Sequence, residues 1–200
     1  MSFKKLFYIS TILLTVSCRT YIDQEQTNYE YHDIVNSDTI QVPSLYAVTN
    51  EEYLQYGSSV AYVNMEGDTI IPFGNFAYFG TDTMVYFANV LLHPDDSTYG
   101  RIVGISQDQQ ILFDVVTFDI APDPFNEGLT RVKRNTKMGY ANQRGEIVIP
   151  CKYDYARWFK NGVAEVTFDA KEYYDLDEHL RVESDSWFEI DKQGKPIKTP

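Results

Sequence analysis

The 200-residue chain is poor in cysteine and in basic residues. Its two cysteines, Cys18 and Cys151, are too few for a disulfide-rich scaffold or an all-cysteine metal site. Seventeen Lys and Arg against 29 Asp and Glu leave a net charge of −12. This balance argues against nucleic-acid binding, which needs clustered positive charge, and against electrostatic attachment to anionic lipid.

The chain also lacks an apolar run long enough to span a membrane, which takes about 20 residues. Its longest run at the N-terminus, Leu6–Val16, follows Lys4 and Lys5 and ends at Ser17. A short apolar run behind a basic start is typical of a secretory signal peptide, which we predict over residues 1–17. Its removal would lower the net charge to −14.

Two interpretations of Cys18 stay open. It is either an ordinary thiol that follows a secretory signal, in which case a disulfide with Cys151 is conceivable, or a modified residue. The segment Thr15-Val16-Ser17-Cys18 resembles the lipobox of bacterial lipoproteins. The resemblance implies that Cys18 is acylated and becomes the new N-terminus, which would anchor the protein in the cell envelope, at the outer membrane or the cell surface. We favour lipidation.

Residues 18–43 are polar and acidic and have little periodicity. Their acidic residues are Asp23, Glu25, Glu30, Asp33 and Asp38, against the single basic residue Arg19. Such a composition predicts a solvated tether between the anchor and the domain that follows. Tyr29 and Tyr31 are candidates for the start of ordered structure.

Residues 44–200 contain a repeat. Four segments share a short polar residue, then a glycine position, then a short apolar run, and the glycine positions are 42, 36 and 49 residues apart. The polar residues are Asn64, Ser106, Asn142 and Asp191, and the glycine positions are Gly67, Gln109, Gly145 and Gly194. This pattern predicts β-hairpins closed by a type I turn with a G1 bulge, the polar side chain bonding the turn backbone. Gln109 in place of glycine predicts a looser turn.

A second half-unit occurs twice, at residues 118–132 and 153–166. Both copies contain Phe-x-x-Gly before a predicted strand, with Phe125 and Phe159 as expected core residues and Gly128 and Gly162 as expected left-handed turn residues. We expect Asp119 and Asp154, near the start of each copy, to bond turn backbone.

Residues 138–166 contain the longest motif: Met138-Gly-Tyr-Ala-Asn142, then Gly145 and a short strand ending in Pro150, then Tyr153-Asp-Tyr-Ala156 and Phe159-x-x-Gly162. This order resembles the WG-repeat family, a β-rich bacterial repeat, although Met138 replaces the family's tryptophan. The resemblance implies a binding or interaction module, often on secreted or surface-bound proteins, and brings no catalytic residues.

The repeat, the hairpin signals and the aromatic content predict an all-β domain. We expect an antiparallel meander of hairpins built from degenerate repeats of about 36–50 residues. Whether the hairpins stack as an open solenoid or curl into a partly closed arrangement stays open at this stage.

No catalytic, metal or cofactor site is predicted. The three histidines, His32, His93 and His179, lack the spacing of a metal-binding pair. Cys151 has no nucleophile signature around it and is expected to be structural. The acidic insertion Asp169–Asp185 lacks the spacing of a calcium loop, and we expect a solvated loop or a hairpin extension there.

Tyr155 and Trp158 are the candidate recognition surface, because exposed Tyr and Trp are common binding anchors. We therefore predict a membrane-anchored, non-enzymatic binding module for a protein or glycan ligand, with no nucleic-acid partner. Two alternatives remain: an accessory of a carbohydrate- or peptide-processing enzyme, and a structural component of the envelope.

Overall fold

The computed structural model describes residues 30–34, 43–92, 100–176 and 179–197. All regular structure in these ranges is β, with 17 strands and no helix, so the predicted all-β class is confirmed. The predicted signal peptide 1–17, the lipidation site Cys18, much of the predicted tether and His93 lie outside the described residues.

The strands are short, as the closely spaced turn signals predict. In chain order they are β1 (Leu45–Val48), β2 (Ser59–Val63), β3 (Thr69–Tyr78), β4 (Thr83–Met84), β5 (Phe87–Leu92), β6 (Ile102–Ser106), β7 (Ile111–Val115), β8 (Thr117–Phe118), β9 (Ala121–Pro122), β10 (Leu129–Arg134), β11 (Lys137–Asn142), β12 (Ile147–Tyr153), β13 (Tyr155–Ala156), β14 (Val163–Thr167), β15 (Lys171–Tyr174), β16 (Leu180–Glu183) and β17 (Phe188–Asp191). No helix in the described part of the chain has the length and apolar character needed to cross a membrane.

Ten strands form one open antiparallel sheet in the order β12-β11-β10-β7-β6-β5-β3-β2-β1-β4. Most neighbours in this sheet are also neighbours in sequence, which is the predicted meander. A three-stranded sheet, β13-β14-β17, and two separate hairpins, β8-β9 and β15-β16, complete the described fold. The β8-β9 hairpin is inserted between β7 and β10, which pair directly with each other.

The four repeat turns close as predicted. In each turn, the amide at the glycine position donates to the carbonyl of the polar residue at 2.9–3.1 Å, and the amide of the polar residue donates back across the turn at 2.9–3.0 Å. The side chain of the polar residue accepts a further amide hydrogen bond at 2.8–3.1 Å. The glycine position has a positive φ in all four turns, which is the geometry of a type I turn with a G1 bulge.

The expectation of a looser turn at Gln109 is wrong. Gln109 has a φ of 65° and donates to Ser106 at 2.9 Å, as tightly as the glycine turns do. Its side-chain carbonyl also accepts a hydrogen bond of 2.6 Å from Asn75. Local turn geometry therefore overrides the conformational cost that a residue with a side chain pays at positive φ.

The second half-units also end in tight turns, with two central residues at positive φ in each: Glu127-Gly128 and Asn161-Gly162. This is the geometry of a two-residue type I′ hairpin. Phe159 is 3% exposed and lies in the core as predicted, whereas Phe125 is 39% exposed and does not. The prediction for Phe125 is wrong, since this residue lies outside the buried clusters, whereas Phe159 belongs to the second one.

The two aspartates near the start of the half-units do not act alike. The carboxylate of Asp154 pairs with the Lys137 amine rather than with turn backbone, which corrects the expectation for that residue. Asp119 lies in the turn between β8 and β9 with a φ of 54°. Its own backbone, rather than its carboxylate, therefore shapes that turn.

Three apolar clusters make up the core. The first lies under β1–β6 and includes Val60, Tyr62, Ile71, Val90 and Ile105. The second lies between β11, β12 and the three-stranded sheet and includes Met138, Tyr140, Tyr153, Phe159 and Ile190. The third joins them and contains Leu112, Phe113, Val132 and Ala141.

Gly139 shows why the repeat needs a glycine after its first residue. A Cβ atom at Gly139 would lie 2.4 Å from the carbonyl oxygen of Ile149 and 2.7 Å from the amide nitrogen of Cys151. The register of β11 against β12 shifts at this point. Glycine therefore lets the two backbones approach more closely than a side chain would allow.

Candidate functional site

The two residues predicted as a recognition surface, Tyr155 and Trp158, both lie beside one arginine. The guanidinium carbon of Arg131, on β10, lies 5.0 Å from the Trp158 ring centroid and 5.9 Å from that of Tyr155. The Tyr155 side chain is half-buried and Trp158 is 36% exposed. Each ring therefore contacts the buried cation and still reaches solvent.

Arg131 forms a buried ion pair with Asp123. Its Nη2 and Nε lie 2.8 and 2.9 Å from the two carboxylate oxygens, and the side chains are only 8% and 1% exposed. Burial by itself lowers the pKa of Arg131, but the hydrogen bonds and charge of Asp123 outweigh it and raise that pKa. The pair is therefore bidentate, a geometry that fixes the orientation of both side chains.

Trp158 is tied to the same carboxylate. Its indole Nε1 donates to Oδ1 of Asp123 at 2.8 Å, and Phe118 of β8 packs edge-on against its ring at 4.9 Å between centroids. The hydrogen bond satisfies the polar atom of the indole, while the ring edge remains available for contact. The indole is therefore held in one orientation.

A groove with a volume of about 680 Å³ opens beside this cluster. Phe118 and Tyr155 contribute aromatic surface to it, Arg131 and Lys133 contribute positive charge, and Val116 contributes apolar surface. Its remaining wall comes from the β15-β16 hairpin, including Glu172, His179 and Arg181. Apolar surface with a few fixed polar groups is what ligand sites typically offer.

The β15-β16 hairpin is the predicted acidic insertion, and the prediction of a hairpin extension is confirmed. Asp169 fixes the two ends of this hairpin, because its carboxylate accepts hydrogen bonds from the hydroxyls of Thr167, Ser184 and Ser186. These three hydrogen bonds lower the pKa of Asp169 to about 2. The hairpin is therefore tied to the end of β14, which positions the outer wall of the groove.

Cys151 is not placed for thiol chemistry. It is a free cysteine, and its Sγ lies 3.9 Å from the carbonyl oxygen of Val132. Burial raises its pKa to about 11, so the thiol is protonated at neutral pH and a poor nucleophile. Within the described ranges, no three His, Cys, Asp or Glu side chains are grouped so as to hold a metal ion.

Sequence reasoning missed Arg131 and Asp123, the pair at the centre of the site. Arg131 is a charged residue in a strand whose neighbours Thr130 and Val132 are also buried. A signal was available, because Arg131 aligns with Glu165 of the second half-unit, and both are three residues beyond the turn glycine. A charge at a repeated strand position indicates a partner on a neighbouring element.

These features define an all-β repeat protein with a groove flanked by a buried ion pair. Residues 138–171 match the family described as WG containing repeat. This chain therefore carries a WG repeat in that segment, and the resemblance noted for residues 138–166 is confirmed. Comparison with curated proteins gives no match, and neither does comparison with solved structures.

Proposed function

We propose that the protein is a membrane-anchored lipoprotein whose β-repeat domain is a non-enzymatic binding module. It is exported, held in the cell envelope by lipid on Cys18, and takes a protein or glycan ligand in the groove beside Arg131. The observation that carries this proposal is the groove of about 680 Å³, which is lined by the aromatic rings of Phe118 and Tyr155 and by Arg131, the cation that Asp123 holds in place.

The construction of the groove supports binding. Asp123 holds Arg131 and Trp158 in place, and Trp158 in turn packs against Phe118 of the groove wall, so the aromatic surface is formed before a ligand arrives. Preorganised aromatic surface lowers the entropy cost of binding and is typical of binding hot spots. Lys133 adds a positive charge and Glu172 a negative one, which suits a ligand with polar groups beside an apolar part.

The chemistry near the groove supports a non-catalytic role. The protonated Cys151 thiol supplies no nucleophile, and the sequence has no Gly-x-Ser-x-Gly motif. Arg131 and Asp123, the buried charges beside the groove, are both engaged in their ion pair.

Binding is tested by screening the complete chain, purified in detergent, against immobilised peptides and glycans. A ligand of the groove loses about tenfold or more in affinity with Phe118→Ala or Lys133→Glu. Tyr53→Ala is the matched control, since this residue is 69% exposed and outside the groove. Equal binding by all variants, or turnover of the ligand, contradicts the proposal.

The anchor is tested separately by Cys18→Ala. We expect the wild-type chain to partition with membranes and the variant to move to the soluble fraction, since the acyl chains supply the membrane affinity. Cys151→Ala serves as the matched control and should stay with membranes. Retention of the Cys18→Ala variant in the membrane fraction rules out lipid anchoring through this residue.

A further inference from the structure

Residues 31–34, called the strap here, lie in a slot on the domain although their composition predicts a tether. The Tyr31 hydroxyl donates to Oδ2 of Asp114 at 2.6 Å and accepts from Nη2 of Arg101 at 2.9 Å. The guanidinium carbons of Arg101 and Arg134 lie 5.9 and 5.5 Å from the centre of the tyrosine ring. Burial and the nearby Asp114 carboxylate raise the pKa of Tyr31 to about 12, so the hydroxyl remains a donor at neutral pH.

The next two residues bind through backbone and charge. The His32 amide donates to the carbonyl of Ile111 at 2.8 Å, and the His32 carbonyl accepts from Nη2 of Arg134 at 2.7 Å. The same Nη2 lies 3.0 Å from a carboxylate oxygen of Asp33, whose side chain is 80% exposed. Arg134 therefore recognises the strap at two successive residues.

Ile34 enters an apolar subsite. It packs against the third core cluster beside Phe87. A Cβ atom at Gly145 would lie 2.9 Å from Cδ1 of Ile34 and 3.0 Å from the Phe87 ring. Glycine in this repeat turn therefore leaves the space that the isoleucine side chain fills.

The walls of the slot are held by the sheet, independently of the strap. Arg101 pairs with Asp114 of β7 at 2.7 Å, and Nε of Arg134 donates to the Leu112 carbonyl at 2.6 Å. The strap itself belongs to no strand. Its contacts are thus those of a bound peptide, with two side-chain anchors three residues apart and few backbone hydrogen bonds.

We propose that the slot is a recognition site for a short peptide of the pattern Tyr-x-Asp-aliphatic, and that the strap is its resident, displaceable ligand. The partner that fits is an exposed segment of another protein with this pattern. The slot contains two arginines, Arg101 and Arg134, and one aspartate, Asp114. Its excess of positive charge complements the acidic residue of the peptide.

Release of the strap would change the reach of the domain, a consequence that rests on the proposed anchor at Cys18. With the strap docked, about 13 residues separate the anchor from the domain, and they span at most about 45 Å. With it released, the connection extends to β1, about 27 residues, and the limit rises to about 90 Å. A partner with the same motif would therefore roughly double the reach of the groove from the membrane.

The test uses the complete chain in detergent and a fluorescein-labelled peptide of residues 27–38. The double variant Tyr31→Ala/Ile34→Ala vacates the slot, and we expect it to bind the peptide saturably. The wild type should bind the peptide at least about tenfold more weakly than the double variant. The reason is that its own strap competes for the slot at an effective concentration in the millimolar range. Asp114→Asn in the vacated chain should abolish binding, and a peptide carrying Tyr31→Ala is the matched control.

Three results overturn the proposal. The vacated chain keeps a native circular dichroism spectrum but shows no saturable binding up to about 1 mM, a range set by the effective concentration of a tethered ligand. In the second, the vacated chain binds the peptide carrying Tyr31→Ala with the same affinity as the native peptide. It fails to fold, which makes the strap an integral part of the domain. None of these results depends on the groove or on Cys18, so failure here is distinct from failure of the proposed function.

Discussion

The two half-units carry ion pairs of opposite polarity at matching positions. In the first, Arg131 on the strand pairs with Asp123 in the connecting segment at 2.8 Å. In the second, Glu165 on the strand pairs with Arg157 in the connecting segment at 2.9 Å. A tryptophan ring lies by each arginine, Trp158 in one case and Trp187 in the other.

The pairs differ in burial. The first pair is 8% and 1% exposed, and the second is 51% and 44% exposed. Solvent screens the second pair, so it contributes little to stability, whereas neither member of the first can lose its partner without leaving a buried charge. The repeat therefore determines the position of the charged pair, and the elements packed over the pair determine how much it contributes to the stability of the fold.

The largest effect expected from this comparison is that of Asp123→Ala. It leaves the Arg131 guanidinium buried without its carboxylate, which should destabilise the domain by about 3–5 kcal/mol. Urea unfolding of the complete chain, followed by tryptophan fluorescence, measures the change. A loss below about 1 kcal/mol would mean that the pair is solvated and unlike a buried one.

A compensating variant sharpens the same point. Asp123→Leu with Arg131→Met replaces both charges by apolar groups and should recover most of the stability lost in Asp123→Ala, because no unpaired charge remains. If the double variant is as unstable as the single one, packing rather than an unpaired charge explains the loss.

The next effect concerns the tryptophans. Trp158→Phe removes the indole donor to Asp123 and should cost about 1.5–3 kcal/mol, the range for a hydrogen bond to a charged group. Trp187→Phe replaces the indole beside the exposed Arg157 by a smaller aromatic ring and should cost under about 1 kcal/mol. Thermal unfolding of both variants measures the difference, and equal losses would contradict the assigned role of the Asp123 hydrogen bond.

A local effect is expected at the base of the β15-β16 hairpin. The folded pKa of Asp169 is depressed from 3.8 to about 2. The contribution of the ionised Asp169 carboxylate to the stability of the hairpin is therefore present above about pH 4. It is lost as the pH falls through about 2. Hydrogen exchange of the hairpin amides should rise over this window in the wild type, while Asp169→Asn should exchange faster at pH 6 and show no such step. A step that persists in the variant assigns the change to another carboxylate.

The smallest effect is that of Glu165→Gln. It removes an exposed charge and should change the free energy of unfolding by at most about 0.5–1 kcal/mol. The change should shrink further at 1 M salt, where exposed charges are screened. A loss comparable to that of Asp123→Ala would show that exposure does not separate the two half-units.

The repeat turns are the part of the fold that the local sequence predicts best. Asn64, Asn142 and Asp191 close their turns as predicted, because a short polar side chain and a left-handed residue act within five residues of one another. Phe125 is a residue whose burial the local motif does not predict. It shares its motif with the buried Phe159, but only Phe159 is covered by neighbouring elements when the strands pack.

The candidate site was predicted only in part. Residue type alone predicts Tyr155 and Trp158, and the structure brings them together beside Arg131. The pairing of Arg131 with Asp123, eight residues earlier, could not be predicted, since it depends on how the segment between β9 and β10 packs against the strand. Tyr31 is a predicted candidate for the start of ordered structure, but the docking of the strap is not predictable, because its contacts are with residues about 80 to 100 positions away.

Local chemistry was sufficient for the β class, the hairpin turns and the repeat, since alternation, glycine and short polar side chains act between near neighbours in the chain. The burial of Arg131 with Asp123, the docking of Tyr31 and the groove between distant hairpins arise only when the strands pack. Free energies of charged and aromatic groups depend on what covers them, and that covering comes from residues remote in sequence.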